Sequence, residues 1–332
     1  MKKLTDNFGR VHRYLRISLT DRCNLNCIYC NPAHLQIQKT DRSEILSFDE
    51  ILRLINIFVK EFGINKVRFT GGEPFVRKGI MDFFKQLSPL IKEYELLAGI
   101  TTNGTLLKDK LYLLKELEIE GLNISLDSLS KEKFRRITNS DSFEDIISAI
   151  DTGAGIFDNL KINTVIIRGI NDNELLDFVQ FGIKRNINIR FIEFMPFADN
   201  NWDESSFISY SEMIERIEMK YKLAKIYTNS KISKDYTIPG SKGVISFISS
   251  VSDHFCGSCD RLRITASGNM KLCLFSPVEE GLNLKNLLRY ENNTDKDIAN
   301  IISNEIGNKL LKHPEISELI QLEQNKMVSI GG

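Results

Sequence analysis

Two groups of three cysteines are the residues whose spacing most clearly indicates chemistry. The first group follows the pattern C-x3-C-x2-C and consists of Cys23, Cys27 and Cys30. The second group consists of Cys256, Cys259 and Cys273. Three thiolates can hold a four-iron cluster and leave one iron open to a substrate or cofactor. A structural zinc ion normally needs four protein ligands. The spacing therefore favours two iron–sulfur centres, with zinc as the alternative.

Composition limits the remaining functional classes. The chain has 332 residues, enough for one large α/β domain with an appendage or for two ordinary domains. It carries 44 Lys and Arg against 44 Asp and Glu, so no net charge attracts nucleic acid or an anionic membrane. No apolar run has the length of a membrane span, and no signal region follows the first residues. We therefore expect a cytoplasmic protein, in which three disulfides are disfavoured.

Strand, loop and helix alternate about six times in the first two thirds of the chain. Predicted strands cover residues 14–19, 66–70, 96–100, 122–126, 161–167 and 187–194. This rhythm predicts a parallel sheet with helical crossovers, and we expect a partial (β/α)6 TIM-like barrel. A doubly wound sheet is the alternative. Glycine and polar residues follow the strands, at the carboxyl edge where such folds bind ligands.

The pattern changes near residue 222, which divides the chain into two predicted domains. Residues 1–222 would form the barrel, and residues 223–332 an α+β extension that carries the second cysteine group. Residues 225–247 are typical of antiparallel strands and loops. A hairpin after Cys259 would return Cys273 to the side of the Cys256–Cys259 pair.

The first cysteine group combines with a glycine motif. Tyr29 precedes the last cysteine of that group, and Gly71-Gly72-Glu73-Pro74 follows the second predicted strand. Together these motifs resemble the radical S-adenosylmethionine superfamily. In that superfamily the open iron of the cluster binds S-adenosylmethionine. One electron then cleaves it to methionine and a 5′-deoxyadenosyl radical.

Motifs along nearly the whole chain resemble one family of that superfamily, the GTP 3′,8-cyclases. They include Gly9-Arg10, the run from residue 15 to Cys23, the run at residues 190–195, Cys256-x2-Cys259-x-Arg261-x-Arg263, and the final Gly331-Gly332. The family converts GTP to (8S)-3′,8-cyclo-7,8-dihydroguanosine 5′-triphosphate, the first step of molybdenum cofactor biosynthesis. There the radical takes hydrogen from C3′, and the ribose carbon then attacks C8 of guanine.

The resemblance implies a set of ligands and contacts. It places one 4Fe–4S cluster on each cysteine group, with guanine at the open iron of the second. Expected contacts to S-adenosylmethionine are Tyr29, Gly72, Ser125 and Met195. Expected contacts to GTP are Arg16, Arg68, Thr101, Lys161, Arg261, Leu262 and Arg263. Guanidinium groups suit phosphate oxygens, so these cations could form a local basic site in a neutral chain. No catalytic residue is implied beyond the cluster and cofactor ligands.

The same resemblance implies partners and an oligomeric state for the protein. The product would pass to cyclic pyranopterin monophosphate synthase, the electrons would come from a flavodoxin or ferredoxin, and the protein would be a monomer or homodimer. The terminal glycines would reach into the active site.

Asn31 departs from the family, which usually has methionine there. The rival interpretations are a peptide-modifying radical enzyme and a zinc-binding structural module. A nucleic-acid-binding role is disfavoured by the balanced charge.

Overall fold

The protein is described here by a computed structural model that covers residues 2–32, 39–228, 230–276, 281–321 and 326–331. Gly332 lies outside these residues. The strands are β1 (Tyr14–Ser18), β2 (Lys66–Thr70), β3 (Leu97–Thr102), β4 (Ile119–Ser125), β5 (Lys161–Ile166), β6 (Asn188–Glu193), β7 (Ala224–Ile226), β8 (Lys234–Thr237), β9 (Val244–Ile248), β10 (Arg261–Ile264), β11 (Asn269–Lys271) and β12 (Leu282–Asn283). The helices are α1 (Phe48–Phe62), α2 (Ile80–Tyr94), α3 (Leu111–Glu116), α4 (Lys131–Thr138), α5 (Phe143–Ala154), α6 (Leu175–Arg185), α7 (Tyr210–Glu218), α8 (Leu284–Arg289), α9 (Asp295–Glu305), α10 (Ile316–Gln321) and α11 (Met327–Ile330).

The strands form one sheet in the order β12-β11-β10-β1-β2-β3-β4-β5-β6-β9-β8-β7. Strands β1 to β6 are parallel neighbours in chain order, which confirms the predicted strand–helix barrel units. The segment after residue 222 adds a parallel strand at each side, β10 beside β1 and β9 beside β6. The antiparallel prediction for residues 225–247 therefore holds for β7 to β9, but it missed the parallel pairing of β9. The domain division at residue 222 stays a prediction.

Alternation within the strands separates an apolar face from a charged one. In β1, Leu15 and Ile17 are fully buried in the apolar core and alternate with Tyr14, Arg16 and Ser18. In β10, Leu262 lies in the same core. Because successive side chains of a strand point to opposite faces, the charged residues share the face that the core does not use.

Helix α1 shows how the outer layer is fixed. It begins with a capping box formed by Ser47 and Glu50, as its sequence predicts, and ends at Gly63 in the left-handed conformation. Its inward side chains Ile51 and Phe58 are fully buried in the core. Each such side chain stabilises the fold by about 1.5–3 kcal/mol.

The charged face curves inward. Arg190 on β6 and Arg261 on β10 are six strands apart, which would be about 29 Å in a flat sheet. Nevertheless the pKa of Arg190 is lowered by burial, then by the positive charge of Arg68 and, more weakly, of Arg261. The sheet must therefore curl so that these strands face one another across an interior, as in an open barrel. Among the described residues no helix is long and apolar enough to cross a bilayer.

Candidate functional site

The first cysteine group lies on the loop that follows β1. This loop is held against the carboxyl end of α4. Asn26 N donates a hydrogen bond to the Thr138 carbonyl (3.0 Å), and Ile28 N donates one to the Ile137 carbonyl (2.9 Å). Within the loop, Cys30 N donates to the Cys27 carbonyl at 3.0 Å. None of the three cysteines forms a disulfide, and each residue is partly exposed. The loop thus presents three thiols from a fixed backbone.

The protonation of these thiols reflects burial and their mutual charge. Burial, with the nearby charges of Asp127 and the other thiols, raises the pKa of Cys27 well above its usual value. Burial and the charge of Cys23 raise the pKa of Cys30 to about 12. Such thiols would need a bound cation to become thiolates, and metal ligation supplies one. Within the described ranges no group of His, Cys, Asp and Glu is arranged for a single metal ion. A four-iron cluster distributes its thiolates over different irons.

The glycine motif after β2 lies directly on the cysteine loop. Gly72 N donates to the Thr20 carbonyl at 2.7 Å, and Glu73 N to the Arg22 carbonyl at 2.8 Å. A Cβ on Gly71 would lie 2.5 Å from the Thr20 carbonyl oxygen, and one on Gly72 would overlap that of Arg22. Only glycine permits this approach of two backbones.

Gly72→Ala should therefore disturb the cysteine loop more than an ordinary loop substitution. The added methyl group must push Arg22 and Cys23 away, and we expect a loss of about 1–3 kcal/mol in the free energy of unfolding. Iron bound by the first cysteine group should fall with it. Denaturant unfolding and iron analysis test this, with Gly155→Ala as the control, because Gly155 has a φ of −83° and a Cβ there would meet its nearest atom, the Thr152 carbonyl oxygen, only at 3.6 Å. Equal iron content in the two variants would contradict the prediction.

A buried carboxylate links the glycine motif to the next strand. Glu73 accepts hydrogen bonds from Thr102 Oγ1 (2.8 Å) and from the backbone N–H groups of Phe75 (3.0 Å) and Asn103 (2.7 Å). Burial raises the pKa of Glu73 to about 7, although these hydrogen bonds oppose the shift. Asn103 Nδ2 in turn donates to Asn24 Oδ1 at 2.9 Å and lies 3.7 Å from Cys23 Sγ. Sequence reasoning missed Asn103, although its place just after a strand was a signal.

The four residues expected at S-adenosylmethionine all lie at the carboxyl edge of the sheet. Tyr29 and Gly72 follow β1 and β2, Ser125 ends β4, and Met195 follows β6. Tyr29 is held in place because its hydroxyl donates to Asp127 Oδ2 at 2.7 Å. These contacts stay predictions, and their common edge supports them.

Asn31 braces the cysteine loop in a way that methionine could not. Its Nδ2 donates to the Leu25 carbonyl (3.2 Å) and to Asn26 Oδ1 (3.0 Å), and its Oδ1 accepts from Lys39 Nζ (3.2 Å). The departure from the family therefore replaces an apolar side chain by hydrogen bonds across the loop.

Strand register places a row of cations on the inner face of the sheet. On β11, β10, β1 and β2 the neighbouring residues in this row are Lys271, Arg263, Arg16 and Arg68. Three adjacent strands, β10, β1 and β2, therefore supply four of the expected GTP contacts: Arg16, Arg68, Arg261 and Arg263. Thr101 and Lys161 come from β3 and β5, and Asn123 on β4 is the register partner of both.

Arg68 is built into the sheet. Its Nη1 donates to the carbonyls of Ile100 (2.9 Å) and Gly121 (3.1 Å), and its Nε donates to the Tyr14 hydroxyl (2.9 Å). A Cβ on Gly99 or Gly121 would lie 2.8 Å from Arg68 Nη2. The two glycines thus make room for this guanidinium, which has a structural role whether or not it also contacts GTP.

The inner face is strongly positive. Burial, together with neighbouring cations, lowers the pKa of Arg16 and of Arg190 to about 10 and that of Lys161 to about 8. Burial alone would raise the pKa of Tyr14, but the charges of Arg68, Arg16, Lys66 and Arg261 lower it to about 7. These shifts show cations held close together, which a polyanion would stabilise. Sequence reasoning quoted Arg190 only within a motif, and the alternation in β6 could have placed it on this face.

Buried polar atoms without partners mark the same face. Within the described parts of the chain, they include Thr101 Oγ1, Asn163 Oδ1, Arg190 Nε and Arg263 Nη1. Native structures rarely leave such atoms unsatisfied, so a ligand is the natural partner. Leu262 differs from the other expected GTP contacts because its side chain is fully buried in the core. Only its backbone can contribute.

The second cysteine group lines a cavity of about 460 Å³. Around this cavity stand Cys256, Cys259, Cys273, Arg261, Arg263 and Lys309. The predicted hairpin is confirmed, since β10 and β11 are antiparallel and Cys273 follows β11. Burial would raise the pKa of Cys259, but Arg261 and Lys309 outweigh it and lower that pKa. The cavity therefore combines thiols with cations at the open end of the cationic row.

Gly331 lies against the inner face of the barrel strands. Thr70 Oγ1 on β2 donates to the Gly331 carbonyl at 2.9 Å. Gly331 has a φ of 72°, and a Cβ there would lie 2.6 Å from Thr70 Oγ1 and 2.8 Å from Ser18 Cβ. Ile330 beside it is buried against Phe197, Phe275 and Leu319. Gly331 therefore lies against the inner ends of β1 and β2; the approach of the tail to the active site stays a prediction.

Family models match the two parts of the chain. Residues 17–182 match the model of the Radical SAM superfamily, and residues 187–315 match that of Molybdenum Cofactor Synthesis C. The chain is 42% identical to "GTP 3′,8-cyclase, mitochondrial" of Arabidopsis thaliana, over 99% of this chain and 83% of that protein. It is 39% identical to "GTP 3′,8-cyclase" of Desulforamulus reducens, over 93% and 95% respectively.

Other relatives are longer. The chain is 43% identical to "Molybdenum cofactor biosynthesis protein 1" of Dictyostelium discoideum, over 99% of this chain but only 52% of that protein. It thus spans about half the length of this relative and of the one from Drosophila melanogaster. Among solved structures, Streptococcus suis SuiB bound to precursor peptide SuiA gives a TM-score of 0.64 at 13% identity, over 91% of this chain and 67% of that one. That likeness concerns the fold.

Proposed function

Because this chain belongs to the radical S-adenosylmethionine superfamily and within it to the GTP 3′,8-cyclase family, we propose that it cyclises GTP. The product would be (8S)-3′,8-cyclo-7,8-dihydroguanosine 5′-triphosphate, made in the first step of molybdenum cofactor biosynthesis. One observation carries the proposal: a buried row of cations lies on the inner face of the sheet, with the first cysteine triad after the carboxyl end of β1 and the second triad lining a cavity that Arg261 and Arg263 also line. GTP has the charge and the length to occupy it.

The donor sets fit two 4Fe–4S clusters. Cys23, Cys27 and Cys30 would hold the first, and the second group would hold the other. The first group would hold a cluster that, together with bound S-adenosylmethionine, would supply radical chemistry able to remove hydrogen from C3′ of the ribose. The protein's own residues bind, orient and exclude water, which is the larger part of its contribution.

The inner face would fix GTP by its triphosphate. Arg16 and Arg263 stand in register on adjacent strands, and guanidinium forks bind phosphate oxygens with two parallel hydrogen bonds. Thr101 and Lys161 would add contacts from the other side of the barrel. The guanine would then extend toward the cavity of the second triad, beside Arg261. This orientation would turn the ribose toward the first triad.

The charge of Lys161 makes a pH dependence of GTP binding testable. Its free-state pKa is lowered to about 8, first by burial, and bound phosphate would raise it again. Between those two values GTP binding takes up a proton, so affinity should fall by up to about tenfold per pH unit above pH 8. Calorimetric titration of GTP at several pH values measures this. Lys161→Arg keeps the charge and should flatten the profile above pH 8; an unchanged slope in that variant would contradict the assignment.

The function itself is tested by anaerobic turnover. Reconstituted protein is incubated with dithionite, S-adenosylmethionine and GTP, and the products are read by mass spectrometry. The proposal predicts 5′-deoxyadenosine in step with loss of GTP and gain of a cyclised nucleotide. Deoxyadenosine with GTP untouched would retain the superfamily and reject the substrate, as the peptide-modifying alternative requires. A colourless protein that holds zinc would reject both.

The remaining proposals concern the partners of the protein, its oligomeric state and its location in the cell. A flavodoxin or ferredoxin as reductant, cyclic pyranopterin monophosphate synthase as the consumer of the product, and a monomeric or homodimeric state are proposed from the family alone. A cytoplasmic location stays a proposal from the sequence pattern, while the Arabidopsis relative is named mitochondrial.

A further inference from the structure

Two buried cations outside the expected GTP contacts hold the backbone around the second cysteine group. They are Arg10, in the segment before β1, and Lys309, after α9. Both side chains are less than one tenth exposed. Burying a charge is costly unless it has partners, so each position needs a reason.

Arg10 ties the start of the chain to the second triad. Its Nη1 donates to the carbonyl of Cys256 at 2.8 Å and to that of Leu311 at 2.9 Å, and its Nη2 donates to that of Leu310 at 2.7 Å. Its Nε donates to Asp6 Oδ2 at 2.5 Å, which fixes the guanidinium from behind. Arg10 therefore joins the first cysteine of the triad to the segment that carries Lys309.

Lys309 holds the other two cysteines through their neighbours. Its Nζ donates to the carbonyl of Arg261 at 3.2 Å and also to that of Leu272. Arg261 is two residues after Cys259, and Leu272 immediately precedes Cys273. The two cations thus contact the backbone at or beside all three cysteines of the group.

The charges around the triad leave a positive excess. Among the described residues, Asp6 is the one carboxylate bonded to Arg10, and it also contacts His12 Nε2 at 3.1 Å. Burial lowers the pKa of His12, which favours its neutral form. Burial lowers the pKa of Lys309 as well, but Cys259 and Cys273 act against that shift, so the ammonium lies within electrostatic reach of both sulfurs.

We propose that Arg10 and Lys309 are positioning residues that fix the second cysteine group and, through their positive charge, favour the reduced state of the cluster bound there. This inference rests on the proposed function, since it requires a cluster at that group. A cation near an iron–sulfur cluster stabilises the additional negative charge gained on reduction, and hydrogen bonds and net charge are known to set such potentials. The low-dielectric surroundings strengthen the effect.

The test measures the reduction potential of the second cluster alone. The 332-residue chain with Cys23→Ser, Cys27→Ser and Cys30→Ser lacks the signal of the first cluster, and its second cluster is titrated anaerobically by electron paramagnetic resonance. We expect Lys309→Met to lower the reduction equilibrium about tenfold, which is about 59 mV for one electron. Lys309→Arg should restore most of it. Lys312→Met is the matched control, because Lys312 lines the same cavity but is exposed and paired with Glu315, so its charge is screened.

The outcomes separate this inference from the assignment of the site. No iron in the parent protein would reject the second triad as a cluster site and this inference with it. Iron in the parent with equal potentials in Lys309→Met and Lys312→Met would overturn this inference alone. Loss of iron in Lys309→Met but not in Lys309→Arg supports a role of the charge in holding the triad. Loss in both variants contradicts it. Arg10→Lys keeps the positive charge but loses the several hydrogen bonds of the guanidinium. We therefore expect this variant to bind less iron, while the reduction potential of the cluster that does form stays close to that of the parent protein.

Discussion

Cys27→Ser should abolish cleavage of S-adenosylmethionine, whereas Cys273→Ser should abolish GTP cyclisation and leave slow cleavage. The two triads lie on different loops, one after β1 and one around β10 and β11. Only the first lies against the glycine motif and Tyr29, at the edge expected to hold S-adenosylmethionine. Loss of a metal ligand should reduce the corresponding activity by more than about 100-fold. Anaerobic assays of deoxyadenosine and cyclised nucleotide, normalised to iron content, distinguish the variants.

Each of the two variants serves as the control for the other, because both carry the same substitution and differ only in the triad that it affects. Circular dichroism should show that both variants stay folded, because serine nearly matches cysteine in size and none of the six cysteines forms a disulfide. If Cys273→Ser lost deoxyadenosine formation as completely as Cys27→Ser, the division of labour between the triads would be wrong.

Arg263→Met should weaken GTP binding and yet leave the ligand-free protein as stable as before, or more so. Arg263 is buried, its Nη1 has no partner in the described structure, and it lies in register with Arg16. Burial, then the charges of Arg16 and Arg261, lower its pKa well below the usual value. Removing this cation relieves repulsion, so the free energy of unfolding should stay level or rise by about 1 kcal/mol. A lost charged hydrogen bond to phosphate costs about 1.5–3 kcal/mol, or roughly 10- to 150-fold in Kd.

Arg289→Met provides the comparison for Arg263→Met. Arg289 is exposed and paired with Glu50, at 2.6 Å from its Nε. Its removal should change neither GTP affinity nor stability by more than about 1 kcal/mol, since exposed ion pairs contribute little. Thermal melting and GTP calorimetry on both variants complete the test. A large loss of stability in Arg263→Met with unchanged GTP affinity would show that Arg263 is structural and would remove it from the proposed site.

Much of the site could be predicted because its signals are local in the chain. The cysteine spacing, the glycines after β2 and the alternation in β1 lie within short windows, and the structure places Gly72 against the cysteine loop as a close approach requires. The alternation in β1 could likewise have placed Arg16 on the face opposite Leu15 and Ile17. The same alternation in β10 could have shown that the Leu262 side chain, between Arg261 and Arg263, belongs to the opposite face.

What the sequence could not predict depends on long-range pairing. Strand β9 pairs in parallel with β6 and β10 with β1, and no local pattern states which distant strand completes an edge. Arg10 bonds to a carbonyl 246 positions away, so its role emerges only in three dimensions. The curvature that brings Arg190 near Arg68 likewise results from closing the sheet, not from any single strand.

The most direct test of the account is the fate of one hydrogen atom. GTP that carries deuterium at C3′ is turned over anaerobically with unlabelled S-adenosylmethionine, and the 5′-deoxyadenosine is analysed by mass spectrometry. If the cationic face holds GTP with its ribose toward the first triad, the deoxyadenosine should gain one deuterium as the cyclised nucleotide forms. Unlabelled deoxyadenosine, together with GTP that keeps all of its C3′ deuterium, would contradict that placement and with it the proposed reaction.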